Sequence, residues 1–404
     1  MSPRVLHLSS LYPPHIVGGA ERSVSMLAEA QAAAGWDVAA ACLTPGEAVE
    51  ETRNGVAVFR LPHGNDFWLE DWLEHGQRAR EWAKFKQQAN FAIERRFGVV
   101  IDRFRPDIVH THSLVDISTR VWHAARRRGV PIVHTLRDFD LLCAASSMYR
   151  GDGPCAGRHL KCRVLTFTKQ FDQRLVASVT AVGEEVLTRH LHHGFFRHVA
   201  PERRRVIWNT AQVEGVGEAY VKPPLAGPVT FGYLGRISPE KGVDTLLRAA
   251  RLLPATGWRL LIAGAALGPI EPYHALAEGL PVEFIGFERP KALFDRIDVL
   301  VAPSLWAEPL GRTVLEAYQA QVPVIGARSG GIAEIIADDA WLVPPGDVAA
   351  LAARMRRVLD EGRSGPPAGR DRVVARTTPE AVAQAFAEVY ADTRGRHPGA
   401  IGDQ

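Results

Sequence analysis

Short apolar runs alternate along this chain with stretches in which apolar residues recur every third or fourth position. The first pattern fits buried strands and the second amphipathic helices, so their alternation predicts parallel sheets joined by crossover helices. In the first half the runs fall near Arg4–Leu8, Asp37–Leu43, Val56–Arg60, Ile108–His112, Ile132–Leu136, Ser178–Ala181 and Arg205–Ile207. In the second half they fall at Val229–Leu234, Arg259–Ala263, Val282–Ile285, Val299–Ala302, Val324–Ala327 and Ala340–Val343. Two series predict two sheets, hence two α/β domains: residues 1–208 and 229–378. Residues 209–228, rich in Gly, Pro and small side chains, read as a linker. Trp68–Phe104 reads as a long helical insertion, aromatic and charged. Residues 362–369 break the last helical run before a terminal helix, Pro379–Arg394.

Ligands of open parallel sheets bind beyond the carboxyl ends of the strands, which directs attention to three loops. In Gly235-Arg236-Ile237-Ser238-Pro239-Glu240-Lys241-Gly242, two cations lie on a Gly-bounded turn between a strand and a helix. Glycine lets backbone approach a ligand closely. An Arg and a Lys there can neutralise a diphosphate, the first bidentately and the second as a point charge. In Glu308-Pro309-Leu310-Gly311-Arg312-Thr313-Val314-Leu315-Glu316, two carboxylates flank the start of the amphipathic run Arg312–Gln319. A helix N-terminus suits phosphate, and acids at this spacing can each hold polyol hydroxyls. Near the N-terminus, Gly18 and Gly19 follow the loop Ser9–Val17 and open a helix. Each feature alone has a plain alternative: a solvated cation pair, capping residues, a simple turn.

Taken together and in order, Gly18-Gly19-Ala20-Glu21, the loop Gly235–Gly242, Glu308-x7-Glu316 and Gln321-Val322-Pro323-Val324-Ile325-Gly326 resemble glycosyltransferase family 4 over nearly the whole chain. The resemblance implies the GT-B architecture: two Rossmann-like domains facing across a cleft, with the C-terminal helix of residues 379–404 returning to the first. It implies a first domain for the acceptor and a second for a nucleoside-diphosphate sugar, with retaining transfer of a hexosyl unit and neither cofactor nor metal. By the same resemblance Arg236 and Lys241 hold the diphosphate together with Gly18, Gly19 and Gly235. Glu316 takes the ribose hydroxyls, Glu308 meets the donor sugar with the amides of Leu310, Gly311 and Arg312, and the base lies near Gly264 and Phe287. The chain departs from the family at Arg137 in His134-Thr135-Leu136-Arg137-Asp138, where family members commonly carry His. Arg137 can still hydrogen-bond a sugar or phosphate but cannot titrate. His112 is the nearby candidate to line the cleft, with His110 and His134 as alternatives.

Composition narrows the rest. With 404 residues, 46% hydrophobic and 23% charged, each half can bury its own core. No apolar run is long enough to span a bilayer, and Met1–Leu8 reads as a strand, not a signal peptide. A cytoplasmic protein is expected, its four Cys free of any disulfide framework. Cys143, Cys155 and Cys162 with His159 between them are four soft ligands at irregular spacing, so zinc stands beside free thiols as an alternative. The +3 net charge hides an asymmetry: residues 1–215 hold 28 Lys+Arg against 23 Asp+Glu, and 216–404 hold 20 against 22. Thirteen of fifteen His also lie in the first half. Its basic clusters, such as Arg126-Arg127-Arg128 and Arg203-Arg204-Arg205, suit either a solvated surface or peripheral contact with anionic lipid at the inner membrane face. No nucleic-acid reader motif accompanies them, and no G-x-G-x-x-G follows the first strand, which disfavours a dehydrogenase. The expected function is transfer of sugar to a saccharide or lipid-linked saccharide in cell-surface polysaccharide or glycoconjugate synthesis. A catalytically silent subunit and a sugar-nucleotide epimerase of the same architecture are the alternatives.

Overall fold

Every strand read from the alternation is present, with ends shifted by a residue or two. The computed structural model describes residues 3–16, 18–151, 153–217, 219–363 and 365–395. Met1, Ser2 and residues 396–404, assigned above to the ends of the first domain, lie outside the described residues, as do Val17, Asp152, Glu218 and Ser364. Two units emerge: one of the residues up to Met148, Ala156–Thr210 and the stretch from Pro379, the other of Tyr149–Cys155 and Ala211–Thr378.

In the first unit eight strands run in the order Arg204–Val206, Ser178–Ala181, Ile132–Leu136, Ile108–His112, Val5–Leu8, Val38–Thr44, Val56–Pro62 and Val49–Arg53. All pair in parallel except the last, which is antiparallel to Val56–Pro62. Val5–Leu8, Ile108–His112 and Ile132–Leu136 are buried throughout, as expected for parallel strands covered on both faces. The edge strand Val49–Arg53 is exposed throughout and carries no hydrophobic alternation, so periodicity misses it. Its signal is Asn54-Gly55, both at positive φ (48° and 81°), the two-residue turn that matches strand twist.

The helical insertion consists of two helices, Gln77–Gln87 and Phe91–Phe104, after a 3-10 turn at Asp71–Glu74. Asn90 starts the second helix by accepting from the Ile93 amide at 3.0 Å. The terminal helix Pro379–Arg394 lays Val382, Phe386, Val389 and Tyr390 against Val5, Leu27, Ile108 and Val133 of its own unit. Arg205 fastens its outer side through Glu388 and Asp392.

The second unit holds six parallel strands in the order Val282–Gly286, Trp258–Ala263, Val229–Leu234, Val299–Ala302, Val324–Ala327 and Leu342–Val343. Order reverses between Val229–Leu234 and Val299–Ala302, so the loops after these two strands open side by side. Phe231, Ile262 and Val299 pack with Leu246 and Leu247 of helix Val243–Ala250 and Met355 of helix Val348–Glu361.

Candidate active site

The loop Gly235–Gly242 and the stretch 303–308 are joined by main chain, because the Leu305 and Trp306 amides donate to the Glu240 carbonyl at 2.9 and 3.3 Å. That junction lets Lys241 Nζ donate to Glu308 Oε1 at 2.5 Å, with the Ser304 hydroxyl donating to the same oxygen at 2.7 Å. Lys241 also lies 5.2 Å from the centroid of the Trp306 ring. Burial alone would raise the Glu308 carboxyl. The Lys241 ammonium and hydrogen bonds from Lys241, Ser304 and Trp306 outweigh it and hold the group below its ordinary value. Glu308 is thus a carboxylate at neutral pH, accepting only. Arg236 is exposed and forms no ion pair among the described residues. Its backbone is fixed by the Tyr233 hydroxyl, which donates to the Arg236 carbonyl at 2.5 Å.

Helix Arg312–Gln319 begins after Gly311, at φ 89°. Glu316 is buried one turn in and accepts from Arg312 Nε at 2.7 Å. Four glycines make the close approaches possible. A Cβ on Gly242 would sit 2.1 Å from the Pro303 carbonyl oxygen, and one on Gly264 1.8 Å from that of Gly235. On Gly330 and Gly331 it would lie 2.2 Å from the Glu308 oxygen and 2.3 Å from Leu310 Cα. The Gly331 amide also donates to the Glu308 carbonyl at 2.8 Å. Gly330-Gly331, Ser304 and Trp306 were not anticipated from sequence, although a Gly-Gly pair after the strand Val324–Ala327 is a visible signal. The structure gathers Gly235, Arg236, Lys241, Gly264, Glu308, Leu310, Gly311, Arg312 and Glu316 at the carboxyl ends of this sheet. Phe287, just past Val282–Gly286, is 83% exposed.

In the first unit the candidates sit differently. Gly18 caps helix Gly19–Ala33, and its amide already donates to Glu21 at 3.0 Å. His112 is buried rather than placed at a surface, and so is Arg137. Arg137 donates from Nε and Nη2 to His112 Nδ1 at 3.3 and 3.2 Å and from Nη1 to Asn209 Oδ1. His112 Nε2 lies 2.9 Å from His7 Nδ1, and His7 Nε2 lies 2.8 Å from Gln31 Oε1. Gln31 Nε2 donates to the Tyr390 hydroxyl at 3.5 Å, which lies 2.6 Å from His110 Nδ1; His110 Nε2 is 2.7 Å from Thr135. Burial first, then neighbouring positive charge including Arg137, keeps His110 and His112 well below the usual histidine value, so both are neutral. The ring nitrogens of His7, His110 and His112 are close enough to share an ion, but all six are engaged in this chain. The zinc alternative at Cys143, Cys155, Cys162 and His159 is not assembled: among the described residues these form no ligand cluster.

Two α/β units with largely parallel sheets, one bearing cations and carboxylates at its strand ends, are the architecture shared with structures of GT-B glycosyltransferases. The chain belongs to glycosyltransferase family 4: residues 18–210 match the glycosyl transferase 4-like domain and 228–361 match glycosyl transferases group 1. It is similar to an uncharacterised 42.6 kDa protein of the cps region of Klebsiella pneumoniae, 26% identical over 82% of this chain and 87% of that one. It is also similar to glycogen synthase of Mycobacterium tuberculosis, 28% identical over 96% and 94% of the two chains. Among solved structures, sucrose-phosphate synthase of Thermosynechococcus elongatus shares the fold at TM-score 0.72 and 20% identity, covering 96% of this chain and 98% of that one. Anabaena HepE in complex with UDP and glucose does so at TM-score 0.65 and 17% identity, covering 96% and 99%.

Proposed function

We propose that this glycosyltransferase moves a hexosyl unit, with retention and without a metal, from a nucleoside-diphosphate sugar to a hydroxyl of a saccharide or lipid-linked saccharide. The observation that carries the reading is Lys241 and Ser304 converging on the Glu308 carboxylate, with the unpaired Arg236 in the same joined loops. Arg236 and the remaining N–H groups of Lys241 meet the diphosphate, and charge-assisted bonds there strengthen as the anomeric C–O bond breaks and negative charge grows on phosphate. The acceptor oxygen forms its new bond on the face the phosphate leaves, and its proton passes to the departing phosphate oxygen. No nucleophilic carboxylate is needed. Glu308, held as an acceptor, takes hydroxyl hydrogens of the donor sugar. Glu316, rigid on its helix, takes those of the ribose once Arg312 shares it. The likeness to Anabaena HepE in complex with UDP and glucose supports a uridine nucleotide. A cps-region relative and a glycogen synthase support a polysaccharide product. The acceptor is assigned to the first unit and the donor to the second, in a cytoplasmic protein that works at the inner membrane face; no helix among the described residues is long and apolar enough to cross a membrane.

Calorimetric titration with UDP tests this directly. Lys241→Ala and Arg236→Ala should each weaken binding by about 1.5–3 kcal/mol, roughly ten- to a hundredfold, and Glu308→Gln should lower kcat more than it raises donor KM. Wild-type UDP affinity in Lys241→Ala sinks the assignment. Donor hydrolysis absent from an intact protein favours a silent subunit, and product formed without acceptor favours an epimerase.

A further inference from the structure

Two neighbouring pieces of the first unit leave apolar faces uncovered. In the short helices Leu160–Leu165 and Phe167–Asp172, the residues Leu160, Val164, Phe167 and Phe171 follow a three-to-four spacing, the mark of one helical stripe. All four are exposed, at 76%, 47%, 57% and 50%. Helix Gln77–Gln87 adds Trp82 and Phe85, 61% and 46% exposed and stacked with ring centroids 5.7 Å apart. The pieces are tied together by a Lys161–Glu81 ion pair and by Gln88, whose side chain donates to the Val164 carbonyl at 3.2 Å and accepts from the Thr168 amide at 3.1 Å. An amphipathic face normally packs inward; here it is left to solvent.

The two pieces themselves are rich in cations, of which Lys86 pairs with Asp66 and Lys169 with Asp140. Residues 77–87 hold four Lys and Arg to one acid, and residues 158–174 hold five to one. The acid of the first, Glu81, is consumed by Lys161, and that of the second, Asp172, by Thr119 and His123. Arg78, Arg163 and Arg174 are exposed and form no ion pair among the described residues. A second copy of the chain would bring like charges face to face on this patch. Aromatic and aliphatic side chains ringed by unpaired cations match the boundary between headgroups and acyl chains, where aromatic rings settle and anionic lipid attracts Arg and Lys.

We propose that this patch is the docking surface for an anionic lipid bilayer, with Trp82, Phe85, Phe167 and Phe171 entering the interface and Arg78 and Arg163 meeting phosphate headgroups. It deepens the reading of a membrane-borne acceptor and places the contact away from the arginine clusters at 126–128 and 203–205 to which the sequence points. The patch binds weakly and reversibly, because neither piece is a long amphipathic helix, and its binding falls with salt.

Flotation of the full chain with vesicles tests it, comparing pure phosphatidylcholine with phosphatidylcholine containing one third phosphatidylglycerol. The wild type should float only with the anionic vesicles and at low salt. Trp82→Ser/Phe85→Ser/Phe167→Ser and, separately, Arg78→Glu/Arg163→Glu should each reduce partitioning by about tenfold or more, while UDP binding, read from the second unit, stays at the wild-type value. Arg126→Glu/Arg128→Glu should float as the wild type does. Equal flotation of both patch variants and wild type, or no flotation of the wild type, overturns the proposal. A dimer in sedimentation velocity that the aromatic variant dissolves overturns it too, by assigning the patch to a second copy. Loss of UDP binding in the wild type counts against the donor reading and leaves the docking surface standing.

Discussion

A guanidinium has hydrogens to give and no lone pair to return, so Arg137 fixes which nitrogen of His112 is bare. Nδ1 of His112 must accept, its Nε2–H then donates to His7 Nδ1, and His7 Nε2–H donates to Gln31 Oε1. Gln31 next donates to the Tyr390 hydroxyl, whose hydrogen goes to His110 Nδ1, leaving His110 Nε2–H for Thr135. One cation thereby orients a file of neutral, buried groups from a strand end to the terminal helix. In protein labelled with 15N-histidine, all three rings should be Nε2–H tautomers at neutral pH. A Nδ1–H signal from His112 would break the scheme. Arg137→Leu should release the tautomer of His112 and destabilise the fold by about 1–3 kcal/mol through the unpaired buried acceptor. The departure from the family's usual His at 137 therefore has a structural use in this chain.

At the level of elements, the proposed donor site depends on backbone proximity that side chains would prevent. Gly330 has φ 51° and ψ −140°, in a region L-residues rarely adopt, and abuts the Glu308 carbonyl. Gly330→Ala should therefore cost at least about 2 kcal/mol from strain and displacement together, lowering the thermal midpoint and shifting Glu308 enough to depress kcat. Gly257→Ala is the comparison: φ is 92°, but nothing lies within 4 Å of an added Cβ and the site is not adjacent. It should lose stability from backbone strain alone and keep kcat. Equal loss of kcat in both variants would show that Gly330 matters only through general stability.

For the whole molecule, buried histidines set the acid limit. His7 and His190 are lowered to about 4 and His134 to about 3, in each case chiefly by burial, and His110 and His112 lie well below their ordinary value for the same first reason. Unfolding returns each to a pKa near 6.5, so the unfolded chain binds more protons and stability falls as pH falls. The stability these groups contribute is complete above about pH 6.5 and erodes from there down, for His7 and His190 to about pH 4 and for His134 to about pH 3. Each contributes a slope of up to about 1.4 kcal/mol per pH unit. Calorimetric scans should show the midpoint flat from pH 8 to 7 and falling steadily between pH 6.5 and 4.5. All five residues lie in the first unit, so its transition should move most. A midpoint that holds constant to pH 4.5 would mean the histidines are accessible in the native state.

Hydrophobic rhythm by itself determined the two parallel sheets, because a strand buried on both faces must be apolar in nearly every position and a crossover helix must not. It missed Val49–Arg53, a solvent-facing edge strand to which no burial constraint applies, though Asn54-Gly55 announced the turn. It gave the insertion Trp68–Phe104 as helical without placing the boundary between Gln77–Gln87 and Phe91–Phe104, since the Asn90 cap between them is a local hydrogen bond. The candidate residues of the second unit were legible because charge and glycine cluster in sequence at strand ends, where parallel topology puts ligands. What only the tertiary structure decided were the relations between distant segments: Lys241 on Glu308, Gly330 beneath its carbonyl, Arg137 turned to His112 rather than outward, and an apolar stripe left uncovered. Such contacts are set by how elements pack, and nothing in the local period of a chain encodes which neighbour a side chain will meet.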